Sequence, residues 1–199
     1  MKLLLKHRII IVLLLCVGYS ASAQIHIGLR DNRYARIGYT LKDSYLFTLE
    51  HSIYSEKFGF QKARLYVGYK HNWKNLGIQA NLYASTLWNG NYQDCGVLAT
   101  AHYRIFNPWI VYATINPHYD SEYDYMTCFT VATDVEVIKG LALTAQYTTI
   151  PEYRLSEKRV RAGLHLSYGN LSVTPLLSIP TDGNTKSIRV LCSFSFSFK

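Results

Sequence analysis

From Gln24 onward the chain is a succession of short segments in which apolar and polar residues alternate with a period of two. The last of them, residues 186–198, is the clearest. Ile188, Val190, Cys192, Phe194, Phe196 and Phe198 share one phase, and Arg189, Leu191, Ser193, Ser195 and Ser197 share the other. Successive side chains of a strand point to opposite faces, so this pattern sets one face in apolar surroundings and the other in polar ones. The same test predicts about twelve strands, at 25–30, 33–41, 44–54, 60–71, 75–86, 95–106, 109–118, 124–137, 140–150, 157–168, 171–179 and 186–198. The alternative count is ten, if two of the short early segments merge.

The connections alternate in length. Going back from the C-terminus, Pro180 to Thr185 is long, Gly169-Asn170 short, Pro151 to Ser156 long, Ile138-Lys139 short and Tyr119 to Tyr123 long. Asn107-Pro108, the turn at Trp73-Lys74 and Lys42-Asp43 are short, Leu87 to Asp94 is long, and Ser55 to Gly59 is intermediate. Only Asp31-Asn32 is short where a longer loop is due. Short turns at one end and longer loops at the other are the pattern of an antiparallel, up-and-down transmembrane β-barrel with both termini on the periplasmic side.

Alternation alone leaves two barrels open. A soluble barrel with a ligand cavity turns its apolar face inward, and a membrane barrel turns it outward. The apolar phase reads Ala35, Ile37, Tyr39, Leu41 in one segment and Leu141, Leu143, Ala145, Tyr147 in another. No Lys, Arg, Asp or Glu interrupts its middle, and His51 is expected to be its one ionisable residue. The polar phase is rich in Gly, Ser, Thr, Tyr and Arg rather than in Lys and Glu. An isolated charge at mid-bilayer costs ~2–4 kcal/mol, so its absence from one face of every segment favours the apolar-out barrel.

The first residues read as an export signal. Lys2, Lys6 and Arg8 precede the apolar run Ile9 to Val17, and Ala21-Ser22-Ala23 offers a cleavage site. The expected organisation is a signal peptide at 1–23 and one barrel domain at 24–199. Removing the signal leaves 18 basic side chains against 13 acidic ones, a modest surplus that does not call for nucleic acid as a partner. Charged residues are 17% of the chain, below the ~25% of ordinary soluble domains, and there are 17 Tyr and 8 Phe. Three cysteines remain after residue 23. Cys128 falls in the polar phase and Cys192 in the apolar one, so these two are not expected to pair, and the plain reading of all three is as small buried hydrophobes.

Three phenylalanines alternating with serines at the C-terminus resemble the closing strand of Gram-negative outer-membrane β-barrels. The resemblance implies an outer-membrane location, contact with membrane lipid and lipopolysaccharide, and reading of this strand by the barrel-assembly machinery. Such proteins usually end on the aromatic residue, whereas Lys199 follows Phe198 here.

The polar phase carries a particular charge distribution. Strand direction places Arg30, Arg36, Lys62, Arg64, Arg159, Arg161 and Arg189 toward the loop end, with Glu50 expected as the only acid opposing them. Lys70, Arg104, Asp134 and Glu136 fall near the turn end, where pairing among them is expected. Arg159, Arg161 and Arg189 are expected to reach the lumen without a local partner, beside the uncharged phase Ser172, Thr174, Leu176 and Ser178. A low-dielectric wall with one sign of charge concentrates counter-ions. In strand count and charge placement the chain is similar to the narrow, arginine-lined twelve-stranded porins that pass acidic sugars, though no motif of theirs matches residue by residue.

Other motifs carry less. His165 and Ser167 share a face, as a nucleophile and its base must, but the face is the inward one, whereas the twelve-stranded outer-membrane phospholipase turns its pair toward lipid. In Glu50-His51-Ser52 the histidine points away from its neighbours. Asp120, Glu122 and Asp124 fall in one outer stretch and read as a solvated acidic loop rather than a calcium site, for they lack the spacing and glycine of an EF-hand. The aromatic stretches at 87–94, 118–125 and 151–154 suit the girdle at a membrane–water boundary, or stacking on sugar rings. No metal and no cofactor is expected. The leading reading is a narrow pore or binding barrel for small anionic solutes, with acidic sugars one candidate. A non-conducting structural or accessory subunit of an envelope complex is the alternative, and a lipid-modifying enzyme the third.

Overall fold

A computed structural model describes residues 23–53, 61–88, 90, 92–122, 124–149, 158–183 and 187–198. Apart from Ala23, the predicted export segment lies outside the described residues, as does the stretch Pro151 to Arg154. The described chain forms twelve antiparallel strands: β1 (Ala23–Arg30), β2 (Tyr34–Leu41), β3 (Tyr45–Ser52), β4 (Lys62–Trp73), β5 (Leu76–Leu87) and β6 (Gln93–Phe106), then β7 (Trp109–Asp120), β8 (Asp124–Ile138), β9 (Leu141–Thr148), β10 (Arg159–Tyr168), β11 (Leu171–Pro180) and β12 (Arg189–Phe198). Each strand pairs with its sequence neighbours, and β12 returns to β1 to close the barrel. Twelve is therefore the count, not ten. Closure leaves no unpaired sheet edge, the condition for strands to cross a bilayer.

Register keeps the phases intact except at two irregularities near the turn end, between Arg104 and Phe106 on β6 and between Glu136 and Ile138 on β8. Ile25, Ile27 and Leu29 on β1 lie across from Phe198, Phe196 and Phe194 on β12, while His26 and Gly28 lie across from Ser197 and Ser195. Exposed large apolar side chains then cover the outside all round, among them Leu65, Leu82, Ile115, Val131, Leu143 and Val190. Tyr69, Trp73, Tyr103 and Trp109 ring the turn end, and Trp88, Tyr119 and Tyr125 the loop end, as aromatic belts do at a membrane–water boundary. The outer phase departs from expectation twice. His71 joins His51 as a second ionisable residue, seated between the rings of Tyr69 and Trp73. Tyr39, in the same phase, is only 7% exposed.

The phases make a sharp contrast testable. Phe196→Asp sets a carboxylate toward lipid beside Ile27 and Leu171, and Ser195→Asp sets one in the lumen beside Ser172. Aspartate on a lipid face costs less than the ~2–4 kcal/mol of arginine or lysine at mid-bilayer, but still of order 1–2 kcal/mol. The Phe196 variant is expected to yield visibly less heat-modifiable barrel on gels. Equal loss in both would mean that the assigned phase is wrong.

Turn chemistry explains the short connections. Asp31 and Asn32 (φ 56° and 58°) and Lys42 and Asp43 (φ 50° and 55°) each supply two consecutive positive-φ residues, the requirement of a tight hairpin turn. The Asp31-Asn32 turn, anomalous for its end of the barrel, docks onto β12. The Asn32 backbone N–H donates to Cys192 O (2.9 Å), the Asn32 Nδ2 to Val190 O (3.0 Å) and the Asp31 N–H to Ser193 Oγ (2.9 Å). A longer loop there would leave those β12 carbonyls uncovered, because β1 has already ended.

Candidate functional site

The polar phases of all twelve strands meet in the lumen, and its loop end is the most heavily charged region of the interior. Glu50 on β3 is 2% exposed. It accepts from Arg30 Nη2 at 2.9 Å and from the Tyr66 hydroxyl at 3.1 Å, and Arg36 Nε lies 3.9 Å away. Glu50 is not the only acid at this end. Strand β6 begins at Gln93, two residues earlier than the alternation predicted, and this turns Asp94 inward. Asp94 is 5% exposed and takes Lys62 Nζ at 2.5 Å and Arg64 Nη2 at 3.0 Å on one oxygen. Strand β7 likewise runs on to Asp120, which is 1% exposed. It is therefore an interior residue rather than part of a solvated loop, and its carboxylate accepts from Tyr92 and from the Glu122 N–H.

Tyr92 ties these groups together. Its hydroxyl, with one proton to give, donates to Asp120 and lies 3.2 Å from Asp94 Oδ2, and the Lys62 ammonium sits 4.4 Å over its ring. Burial, with Asp94 and Asp120 beside it, holds the Tyr92 phenol well above its usual range, so it stays a donor. Tyr92 thus serves the lumen and not the outer girdle. Arg64 continues the network, its guanidinium 4.9 Å over the Tyr83 ring and 3.1 Å from the Tyr66 hydroxyl. Tyr83 in turn exchanges hydrogen bonds with the Asn116 amide. Buried charges persist when they are paired, as the cations and carboxylates of this array are, although Arg30 Nε, Arg64 Nε and Asp94 Oδ1 are buried without a hydrogen-bond partner.

The wall from β9 to β12 is different in kind. It holds no Asp or Glu, and its inward charges are Arg159, Arg161 and Arg189. The expectation that these lack a local partner fails at all three, and Arg159 is fully buried. Arg159 donates from Nε to Ser178 Oγ (2.8 Å) and from Nη2 to Ser178 O (3.0 Å) and Ser187 O (2.6 Å). It is a brace between β10 and the β11–β12 connection rather than a vestibule cation. Ser178, also fully buried, lies across from Arg161 on one side and Arg189 on the other.

Against this wall lies a cavity of about 350 Å³. Arg30, Arg36 and Arg161 supply its cations and Asp31 its one carboxylate; Gln146, Ser172, Thr174, Ser193 and Ser195 supply uncharged polar groups. The Ser172 and Ser195 hydroxyls are bonded to each other at 2.8 Å. The guanidinium forks suit an oxyanion, and the hydroxyls and amide suit a polar body attached to it.

The turn end is held locally. The expected pairing among Lys70, Arg104, Asp134 and Glu136 is replaced by other bonds. Arg104 Nη1 donates to Asn107 Oδ1 (3.0 Å), and Glu136 Oε1 accepts from the Gly140 N–H (3.0 Å). His26 bridges β12 and β2 through Ser197 Oγ (2.7 Å) and Thr40 Oγ1 (3.0 Å). His165 Nδ1 bonds Thr174 Oγ1 (2.9 Å) rather than Ser167, so no nucleophile–base pair forms there. Cys128 is buried in the lumen, whereas Cys95 is exposed on the outside and is no buried hydrophobe; all three described cysteines are free thiols.

No known protein family matches the chain, and no curated protein sequence matches it. Among solved structures it is similar to the KdgM porin, with a TM-score of 0.64 and 8% identity over 90% of this chain and 100% of that one. It is also similar to the KdgM porin in complex with disordered oligogalacturonate, with a TM-score of 0.63 and 9% identity over the same shares. The toluene transporter TodX of Pseudomonas putida matches at a TM-score of 0.47 and 10% identity over 92% of this chain and 90% of that one, too low to argue from. The chain, a closed twelve-stranded barrel, thus shares the fold of the KdgM porin.

Proposed function

We propose that the chain forms a narrow outer-membrane pore, or binding barrel, for small anionic solutes. The observation that carries this reading is the cavity faced by Arg30, Arg36 and Arg161 against a wall of four strands that bears no carboxylate. Field lines from like charges on a low-dielectric wall are focused into the lumen and concentrate anions there. The KdgM porin of the same fold has been captured with oligogalacturonate, and acidic sugars are the solutes we favour for this chain. Membrane lipid and lipopolysaccharide would cover the outer face, and the barrel-assembly machinery would read β12. A non-conducting structural or accessory barrel is the second reading, favoured by the packed layer of Tyr66, Tyr83 and Asn116.

The test is the zero-current potential of the purified protein in planar bilayers under a salt gradient. Wild-type protein is expected to prefer anions. A unit charge ~8 Å from the path at an effective dielectric of ~20 is worth ~2 kcal/mol, so Arg36→Glu and Arg161→Glu, each a change of two charges, should lower anion-over-cation preference by well over about tenfold. Absence of conductance would favour the structural barrel. Selectivity indifferent to both reversals would place these arginines away from the path.

A further inference from the structure

His71 is out of character for the face it occupies. The outward phase of the described strands carries no Lys, Arg, Asp or Glu, and His71 is its imidazole at the turn end. Its ring is held by aromatic neighbours. Tyr69 stacks on it, the planes 7° apart and the centroids 6.4 Å, and Trp73 meets it at 4.5 Å, edge to face. Tyr45 on β3 abuts Tyr69 at 5.5 Å. All four side chains are exposed. The Tyr69 hydroxyl lies 3.5 Å from His71 Nδ1, and His71 Nε2 has no hydrogen-bond partner among the described residues. The rim beside them is basic. Lys42 lies in the β2–β3 turn, which is pinned to β4 by the Lys70 N–H donating to Ser44 O (2.8 Å), and Lys74 directly follows Trp73 in the β4–β5 turn. Both lysines are exposed, and Asp43 is the one carboxylate of these two turns. Away from the rim the surface beside the rings is low. Ala80 lies across from Tyr69 on one side and Ala99 on the other, and Ala101 lies across from Ala113.

We infer that this sector of the outer wall is a binding site for an anionic phospholipid of the periplasmic leaflet. His71 Nε2 donates to the lipid phosphate, while Nδ1 accepts from the Tyr69 hydroxyl. Lys42 and Lys74 flank the same phosphate from the two turns, their apolar stems along the rim and their ammonium groups in water. The acyl chains run away from the rim over the methyl groups of Ala80 and Ala99. Girdle rings alone would serve any lipid. An oriented imidazole between two lysines recognises a phosphate. With two ammonium groups against one carboxylate in these turns, the sector favours a singly anionic glycerol headgroup over a zwitterionic choline one. The site stands apart from the lumen and needs no ion flow.

Trp73 can report on its own lipid neighbours. Of the three tryptophans it alone remains in a Trp88→Phe, Trp109→Phe background. The barrel is refolded into mixed vesicles of phosphatidylcholine and phosphatidylglycerol, one of them brominated near the headgroup end of its acyl chains. Quenching of Trp73 then gives the relative occupancy of the two lipids. Phosphatidylglycerol is expected to be held about fivefold more strongly, and Lys42→Gln with Lys74→Gln should bring the ratio to about one. His71→Phe keeps a ring between Tyr69 and Trp73 but removes the donor, and should lower the ratio about threefold. Lys139→Gln, at an exposed lysine in the β8–β9 turn of the same end, should leave the ratio unchanged. All these positions are exposed, and heat-modifiable mobility confirms that each variant has folded. A ratio of one in the barrel with its lysines intact would overturn the site. An equal fall on Lys139→Gln would overturn it too, because the preference would then belong to the whole rim. A ratio indifferent to His71→Phe would overturn the phosphate contact.

Discussion

Asp94→Asn is expected to destabilise the barrel by about 3–5 kcal/mol, the cost of stripping the acid from a buried ion pair. Asp94 Oδ2 serves Lys62 at 2.5 Å and Arg64 at 3.0 Å, with the Tyr92 hydroxyl 3.2 Å away, so two cations depend on one oxygen. The Lys62 and Arg64 side chains are 12% and 20% exposed, too little for water to replace the carboxylate. Asparagine keeps the volume but offers only a neutral acceptor. Urea unfolding in lipid vesicles is the measurement. The control is Asp124→Asn, an exposed position where a change within about 0.5 kcal/mol is expected. A loss below ~1 kcal/mol at Asp94 would mean that the two cations find solvent in the native barrel. What folds of the variant carries one more uncompensated positive charge and should be more anion-selective, so stability and selectivity move in opposite directions.

Gly28→Ala is expected to abolish most closed barrel, whereas Gly38→Ala on the next strand should be tolerated. A Cβ on Gly28 would lie 2.2 Å from Phe194 O and 3.0 Å from Ser195 Cα, both backbone atoms of β12. They cannot yield without breaking the Gly28–Ser195 pairing in the seam. A Cβ on Gly38 would meet the Thr48 hydroxyl at 3.2 Å, a side-chain group that can rotate aside. The Gly28 variant should therefore exceed the ~1–3 kcal/mol usual for overpacking. The fraction of heat-modifiable barrel after refolding decides between them, and equal yields would refute the contact.

The sequence speaks clearly about strands and poorly about what fills the space between them. Period two survives in all twelve segments because each has lipid-facing and lumen-facing sides, and segments such as 109–118 need only their ends moved. Those ends decided the acids. Stopping β5 at Thr86 and starting β6 at Cys95 leaves Asp94 in a loop, although it is in phase with Gly96, Leu98, Thr100 and His102. Asp120 is in phase with His118 and Asn116 in the same way. Extending each alternation by one inward residue would have found both. Arg159 gave no such signal, since two of its acceptors are backbone carbonyls. The packed layer was equally hidden, for Tyr83 meets Asn116 across 33 positions of sequence.

The docked turn at Asp31-Asn32 bears on when the ring forms as well as on how it is held. Every hairpin from β1–β2 to β11–β12 joins neighbours in sequence and can form from local contacts. The seam alone joins the ends, through bonds such as His26–Ser197, separated by 171 positions. Loop-closure entropy grows with separation, and contacts of this range are the slow ones in folding. The first hairpin presents Asn32 and Asp31 as donors for β12, so it can wait as a finished template while the rest of the chain is laid down. Refolding should then show early hairpin signals and a late, single closing step, and removing the Asn32 side chain should slow that step while leaving the early signals unchanged.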